Sequence, residues 1–344
     1  MIQEINEGLE KTHISMKFND KQQKIIDLVQ KSVLPKLCLA EDRPYTKDDF
    51  ENSLKIRSEC ITYLAQYLND DVEIDEKNEA HILYLIAPLI NLCGENIKST
   101  EWTNAKLIQC SYEILNILKQ KFNVDSISKL FQIYPEILKK CLTELHHKLD
   151  KKSWKHFPGA QCNFEWILRQ VSSQYLSQNL QEFLPFSLRF LDDWENKNKL
   201  FAILCIDYVV ENVKSSSDLS KFGYTDVLKS VLFHTLNFRD VELTSATLAC
   251  LYKLLEKCYG SKNSQNFRET CAKFNTWDEL AQKLLYTMQI ETQIEMKRLY
   301  IKQLKTLLQH LDVSTNSSTY PFDAIFGKLI WRKKIFNLIL TNFF

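Results

Sequence analysis

Between Leu184 and Leu255 the chain twice repeats a pair of amphipathic segments, and that repetition narrows its possible folds more than any other feature. In the first half, LPFSLRFLDDWENKNKLFAILCIDYVVENV, Leu184, Leu188 and Leu191 fall on one face of a first helix. Asp192 and Asp193 close that helix, Lys199 and Ala202 open a second, and Leu200, Leu204 and Val210 form its apolar stripe. The next half repeats the plan, with Val227, Leu228, Val231, Leu232 and Leu236 before Asp240, then Leu243, Ala246, Leu248 and Leu251 after it. Asp193 and Asp240 stand 47 positions apart (240 − 193), within the period of about 40–47 residues of HEAT and armadillo units. A lone helical pair cannot bury its apolar face, so such pairs must stack on neighbours. The expected fold is therefore all-α, an α-solenoid of HEAT/armadillo-like repeats. Leu204 and Leu251, central in successive second helices, are expected to lie buried between its layers.

The remaining chain fits further pairs. Apolar spacing predicts helices over 21–40 and 50–68, separated by a charged loop with Pro44. The run from Ala80 to Leu92 is too short to span a bilayer, so it reads as a buried helix bent at Pro88, with Trp102 to Phe122 as its partner. One or two helices flank Pro135, and a later pair covers 277–288 and 291–311. Six glycines and seven prolines in 344 residues are too few for the tight turns of a sheet-rich fold. The domain plan is one continuous solenoid over residues 1–313, followed by a divergent apolar tail, 314–344, expected to cap the last pair. Polar stretches at 69–77 and 259–275 and the STNSST linker at 314–319 read as exposed connections.

Composition excludes several functions. A formal net charge of +1 gives no global bias toward nucleic acid or an anionic membrane, and the clusters Lys151, Lys152, Lys155 and Arg332–Lys334 read as solvated faces. Ten cysteines occur without a CxxC pair, and the charged start MIQEINEGLEKTH lacks a signal-peptide core. Reduced thiols in helix cores and a soluble intracellular protein are the expectation. His146, His147 and His156, with Cys162 nearby, are the one cluster that suggests metal, but the second ligand pair of a zinc site is missing. No metal and no cofactor is expected. Asp192 and Asp193 could act as an acid–base pair, yet at a helix-to-helix turn such residues cap helices. No phosphate-binding glycine loop, nucleophile elbow or kinase signature is present, so no enzyme is expected.

From about Phe157 to Leu311 the chain resembles the Tel-two-interacting protein two family. The resemblance is carried by FEWILRQV at Phe164–Val171, LPFSLRFLDDWENKNKL at Leu184–Leu200, CIDYVVENV at Cys205–Val213 and ATLACLYKLLEK at Ala246–Lys257. WDELAQKLL and MKRLYIKQL at Met296–Leu304 extend it. None is a chemical motif; their order over about 150 residues gives the specificity. The repeat positions to follow in the structure are Phe164, Trp166, Pro185, Asp193, Lys199, Leu204, Asp240, Ala246 and Leu251. The resemblance implies a non-catalytic scaffold that joins Tel-two and Tti-one type subunits in a co-chaperone complex. With the ninety-kilodalton heat-shock chaperone, that complex supports phosphatidylinositol-3-kinase-related kinases of the mTOR, ATM and ATR type, in the cytoplasm or the nucleus. Past Leu311 the chain departs from the family, which continues with further helices. The competing reading is an unrelated HEAT-repeat adaptor or transport scaffold for another protein.

Overall fold

A computed structural model describes residues 19–37, 43–69, 82–259 and 276–310. The expectations for the N-terminal end, the connections at 69–77 and 259–275 and the tail lie largely or wholly outside those residues. The described residues form fifteen α-helices with no strand among them, so the chain is all-α. They divide into two compact units, Met1–Ser172 and Ser173–Phe344.

The first unit holds α1 (Asp20–Ser32), α2 (Glu51–Asn69), α3 (Ala87–Asn96), α4 (Ala105–Lys121), α5 (Ile127–Ile133), α6 (Pro135–Lys148) and α7 (Pro158–Gln170). Asn19 opens α1 with a capping box, its Oδ1 accepting from Gln22 N at 2.8 Å while Gln22 Oε1 accepts from Asn19 N at 3.1 Å. The helix stops at Ser32 rather than running to residue 40. The physical reason is Pro35, which disfavours helical geometry in the residue before it. Pro135 splits its region in two, because Tyr134 ends α5 and also precedes the proline that opens α6.

Helix α3 is the hub of this unit, packed by α1, α4, α6 and α7. Leu89, Ile90, Leu92 and Cys93 are fully buried, as expected of a helix apolar all round. A π-helical segment, Ile82–Ile86, leads straight into it. Pro88 stands within this continuous helical run, in the first turn of α3, where π geometry gives way to α. Its missing N–H thus falls at a break in the regular ladder. Helix α7 lies so close to α3 that a Cβ on Gly94 would meet Asn163 Oδ1 at 1.9 Å and Trp166 Cε3 at 2.8 Å.

Polar groups buried around α3 are bonded to one another. Asn163 donates to Asn91 Oδ1 at 2.9 Å, and Asn91 donates to Glu144 Oε2 at 2.8 Å. Lys148 donates to Glu95 at 2.6 Å. Arg57 of α2, 1% exposed, ties three segments together. Its guanidinium donates to Ser32 O at 3.0 Å, Trp102 O at 3.0 Å and Asn96 Oδ1 at 2.6 Å. Burial lowers its pKa to about 10, with Glu95 pulling the other way.

The second unit holds α8 (Ser173–Gln178), α9 (Leu184–Leu191), α10 (Asn196–Asn212), α11 (Ser216–Lys221), α12 (Tyr224–Thr235), α13 (Val241–Tyr259), α14 (Thr276–Ile290) and α15 (Ile294–His310). Three hairpins dominate it: α9–α10, α12–α13 and α14–α15. Their second helices form a row in which α13 touches both α10 and α15. Gly223, at φ +71°, supplies the left-handed residue that turns α11 into α12.

Replacing Arg57 with leucine strips three buried acceptors of their donor, at about 1–3 kcal/mol for each. We expect Arg57→Leu to lower unfolding free energy by roughly 3–5 kcal/mol. Chemical denaturation with the helical circular-dichroism signal checks it; an unchanged midpoint would remove Arg57 from this role.

Candidate interaction surface

The site that can be built from these residues is a surface, and the hairpin repeat sets it out. Helices α10 and α13 start 45 positions apart (241 − 196), and their burial patterns coincide at that offset. Ile206 matches Leu251, Cys205 matches Cys250 and Val209 matches Leu254, all buried. Leu204 matches Ala249, and both are exposed. The expectation that Leu204 is buried is therefore corrected: it is 45% exposed, whereas Leu251 is fully buried. The 47-residue spacing of Asp193 and Asp240 pairs Leu204 with Leu251 two positions out of register. At 3.6 residues per turn, that slip carries a side chain roughly 200° around its helix.

The other repeat positions resolve in the same frame. Asp240 caps α13, its Oδ1 accepting from Leu243 N at 2.9 Å. Asp193 is buried in its turn and accepts from Asn198 instead. Glu195, not Asp193, occupies the position equivalent to Asp240. Lys199 is 4% exposed, with its Nζ 4.7 Å above the Phe238 ring, a cation–π contact. Pro185 sits exposed in the first turn of α9, and Ala246 is half-buried in α13. Phe164 is buried in α7, and Trp166 is half-buried against Gly94.

Polar bonds fasten neighbouring hairpins along their turn edge. Asn196 donates to Asp240 at 3.2 Å, Lys283 donates to Asn237 at 2.7 Å, and Arg239 lies 3.8 Å from Glu291. At the opposite end of α10, Lys257 of α13 donates to the carbonyls of Val210 at 2.7 Å, Glu211 at 3.1 Å and Val213. A cation here satisfies orphan carbonyls and meets the negative end of the helix dipole; burial holds its pKa below the usual lysine value. Lys253 bonds Asp207 and Glu211, each at 2.8 Å. Burial opposes its charge, but the bonds to Asp207 and Glu211 outweigh it and raise the pKa. The sequence marked the Asp residues of the turns but not these lysines, whose partners lie 42 to 47 positions away.

The turn edge also carries exposed apolar side chains: Trp194 at 60%, Val241 at 38%, Ile290 at 54% and Ile294 at 67%. Such a row can bind another apolar surface. The histidine cluster is not drawn together: among the described residues no group of three His, Cys, Asp or Glu could hold a metal ion. Burial raises the Cys162 thiol to about 12 and pushes Cys141 and Cys250 well up, so these thiols are poor nucleophiles at neutral pH. No helix among the described residues is long and apolar enough to cross a membrane.

The repeat register separates two leucines. Leu251→Ala should destabilise by about 2–5 kcal/mol, and Leu204→Ala by less than about 1 kcal/mol. Denaturant midpoints of the two variants check this, and equal losses would refute the register. Glu291 gives a pH signature. Its carboxylate accepts from Gln293 N at 2.9 Å and Thr292 N at 2.7 Å, and the Gln293 bond leads in holding its pKa below the ordinary value. A depressed folded-state pKa adds stability above the unfolded value, lost as pH falls through the folded one. Glu291→Gln should therefore melt lower than the parent at neutral pH. The gap should close as acidification passes the folded-state pKa, as thermal scans over that range would show.

Comparison with known proteins identifies relatives of this chain. Three are called TELO2-interacting protein 2. The Rattus norvegicus protein is 28% identical over 229 residues, covering 62% of this chain and 42% of the relative. The Mus musculus protein is 30% identical over 170 residues, covering 48% and 32%. The Homo sapiens protein is 28% identical over 221 residues, covering 62% and 42%. The chain thus spans less than half the length of these relatives. An engineered protein of known structure overlaps 85% of this chain at 11% identity, with a TM-score of 0.37, too low to carry an argument. The Tti2 family model matches residues 138–318. That stretch is just over half of the 344 residues, contains the whole hairpin row from α9 to α15 and embraces the expected range 157–311; this chain belongs to the Tti2 family.

Proposed function

We propose that this chain is a non-catalytic scaffold subunit that binds TELO2-type and Tti-one type proteins in a co-chaperone complex. The observation that carries the reading is the Tti2 family match over 138–318, together with relatives whose name states an interaction with TELO2. In this reading residues 1–313 act as one continuous solenoid, and repeat positions such as Asp193, Lys199 and Asp240 hold its layers in register. The complex supports the stability of phosphatidylinositol-3-kinase-related kinases together with the ninety-kilodalton heat-shock chaperone, in the cytoplasm and nucleus. The role requires no cofactor, nucleic acid or membrane. The thiols and carboxylates described above take part in packing and capping under this reading.

The test is affinity purification of the tagged chain from cells. TELO2-type and Tti-one type proteins should be recovered in near-equal amounts with it, and depletion of the chain should lower the steady-state level of the kinases. Recovery of neither protein with a folded chain would overturn the proposal.

A further inference from the structure

Among the described residues, the hairpin row ends at α15, which packs on α13 and α14. At the offset of 53 that aligns the starts of α13 and α15 (294 − 241), Leu243, Thr247, Leu251 and Leu254 match Met296, Tyr300, Leu304 and Leu307, all buried. On the other flank, Thr244 and Leu248 are buried, while their counterparts Lys297 and Ile301 are only half-buried. The same last hairpin carries Tyr286 at 66% exposure, Ile290 at 54% and Ile294 at 67%. The apolar edge continues through Val241 toward Trp194.

Charge distinguishes the turn edge from the flank. Asp192, Glu195, Glu242 and Glu295 stand on the edge, and none makes an ion pair among the described residues. Of the bases there, Lys197 is exposed and Arg239 is drawn to Glu291. Farther along α15, Arg298, Lys302 and Lys305 are exposed and would repel a basic occupant. The acids at the helix starts also favour the helix dipoles. That accounts for their place in the sequence, but not for the apolar row between them.

A complementary segment follows in the same chain. Residues 322–340, FDAIFGKLIWRKKIFNLIL, hold one acid and four bases among large apolar residues. They lie outside the described residues. Helix α15 runs 17 residues from the turn edge, about 25 Å. The eleven residues 311–321 can reach back roughly 36–40 Å when extended. Tethering by a linker of this length gives an effective concentration on the order of millimolar. We propose that residues 322–340 cover the turn edge of this chain's own hairpin row, apolar side chains on Tyr286, Ile290 and Ile294, and Arg332–Lys334 beside Glu242 and Glu295.

The test places the photo-crosslinking residue p-benzoylphenylalanine at position 290 of the purified 344-residue chain and maps the joined peptides. Cross-links to peptides within 322–340 are expected, and in an equal mixture of light and nitrogen-15 chains they should join only like isotopes. The combined change Glu195→Lys, Glu242→Lys and Glu295→Lys should abolish the cross-link. Adding Arg332→Glu, Lys333→Glu and Lys334→Glu should restore it. Mixed-isotope products would assign the edge to a second copy and overturn the proposal. So would cross-links elsewhere, or no restoration in the charge swap. Position 286 serves as a second probe site if the first variant loses its helical signal, and absence of the cross-link from a folded variant at that site also overturns it.

Discussion

A helix enclosed on every side keeps polar side chains at low cost only where they find bonding partners, and the first unit is organised around that requirement in α3. Asn91, Glu95 and Asn96 all lie on this helix and all are buried. Each draws a partner from a different direction: Asn163 and Glu144 for Asn91, Lys148 for Glu95, Arg57 for Asn96. Leaving such a group unmet costs about 1–3 kcal/mol, so these bonds fix how α2, α6 and α7 sit on α3. Gly94 adds a steric condition, because only a residue without a Cβ admits Asn163 and Trp166 at their present distance. The Oδ1 of Asn163 has no donor among the described residues; close backbone approach is obtained at the expense of that acceptor.

The second unit solves the same problem by repetition. Because α10 and α13 share one burial pattern, each hairpin presents the same inner faces to the next. The polar bonds between hairpins fall at the two ends of these helices, turn bonds at one end and the Lys253 and Lys257 contacts at the other. Apolar side chains fill the space between, where polar partners would have to be desolvated. A row built this way transmits a loss at one layer to the next, since stability is shared between nearest neighbours.

Asp240 is committed to capping α13, and the Cys250 thiol in the helix core is pushed up by burial. Among the described residues, the exposed apolar row along the turns falls within the stretch shared with the Tti2 family.

The sequence by itself determined the helical class, the hairpin boundaries near Asp193 and Asp240, and the family, because apolar periodicity and turn residues are local properties. It also placed Leu251 in the core. It did not place Leu204, since α10 carries apolar residues on nearly every face: Leu200, Leu204 and Tyr208 line one stripe, and Ala202, Cys205, Ile206 and Val209 another. Which stripe turns inward depends on where α13 lies, and that is a tertiary fact. The partners of Arg57, Lys253 and Lys257 were equally hidden, at separations of 25 to 47 residues. A long cation reads the same in sequence whether it is solvated or closes the end of another helix; only the packed neighbours, by removing water around it, decide between the two.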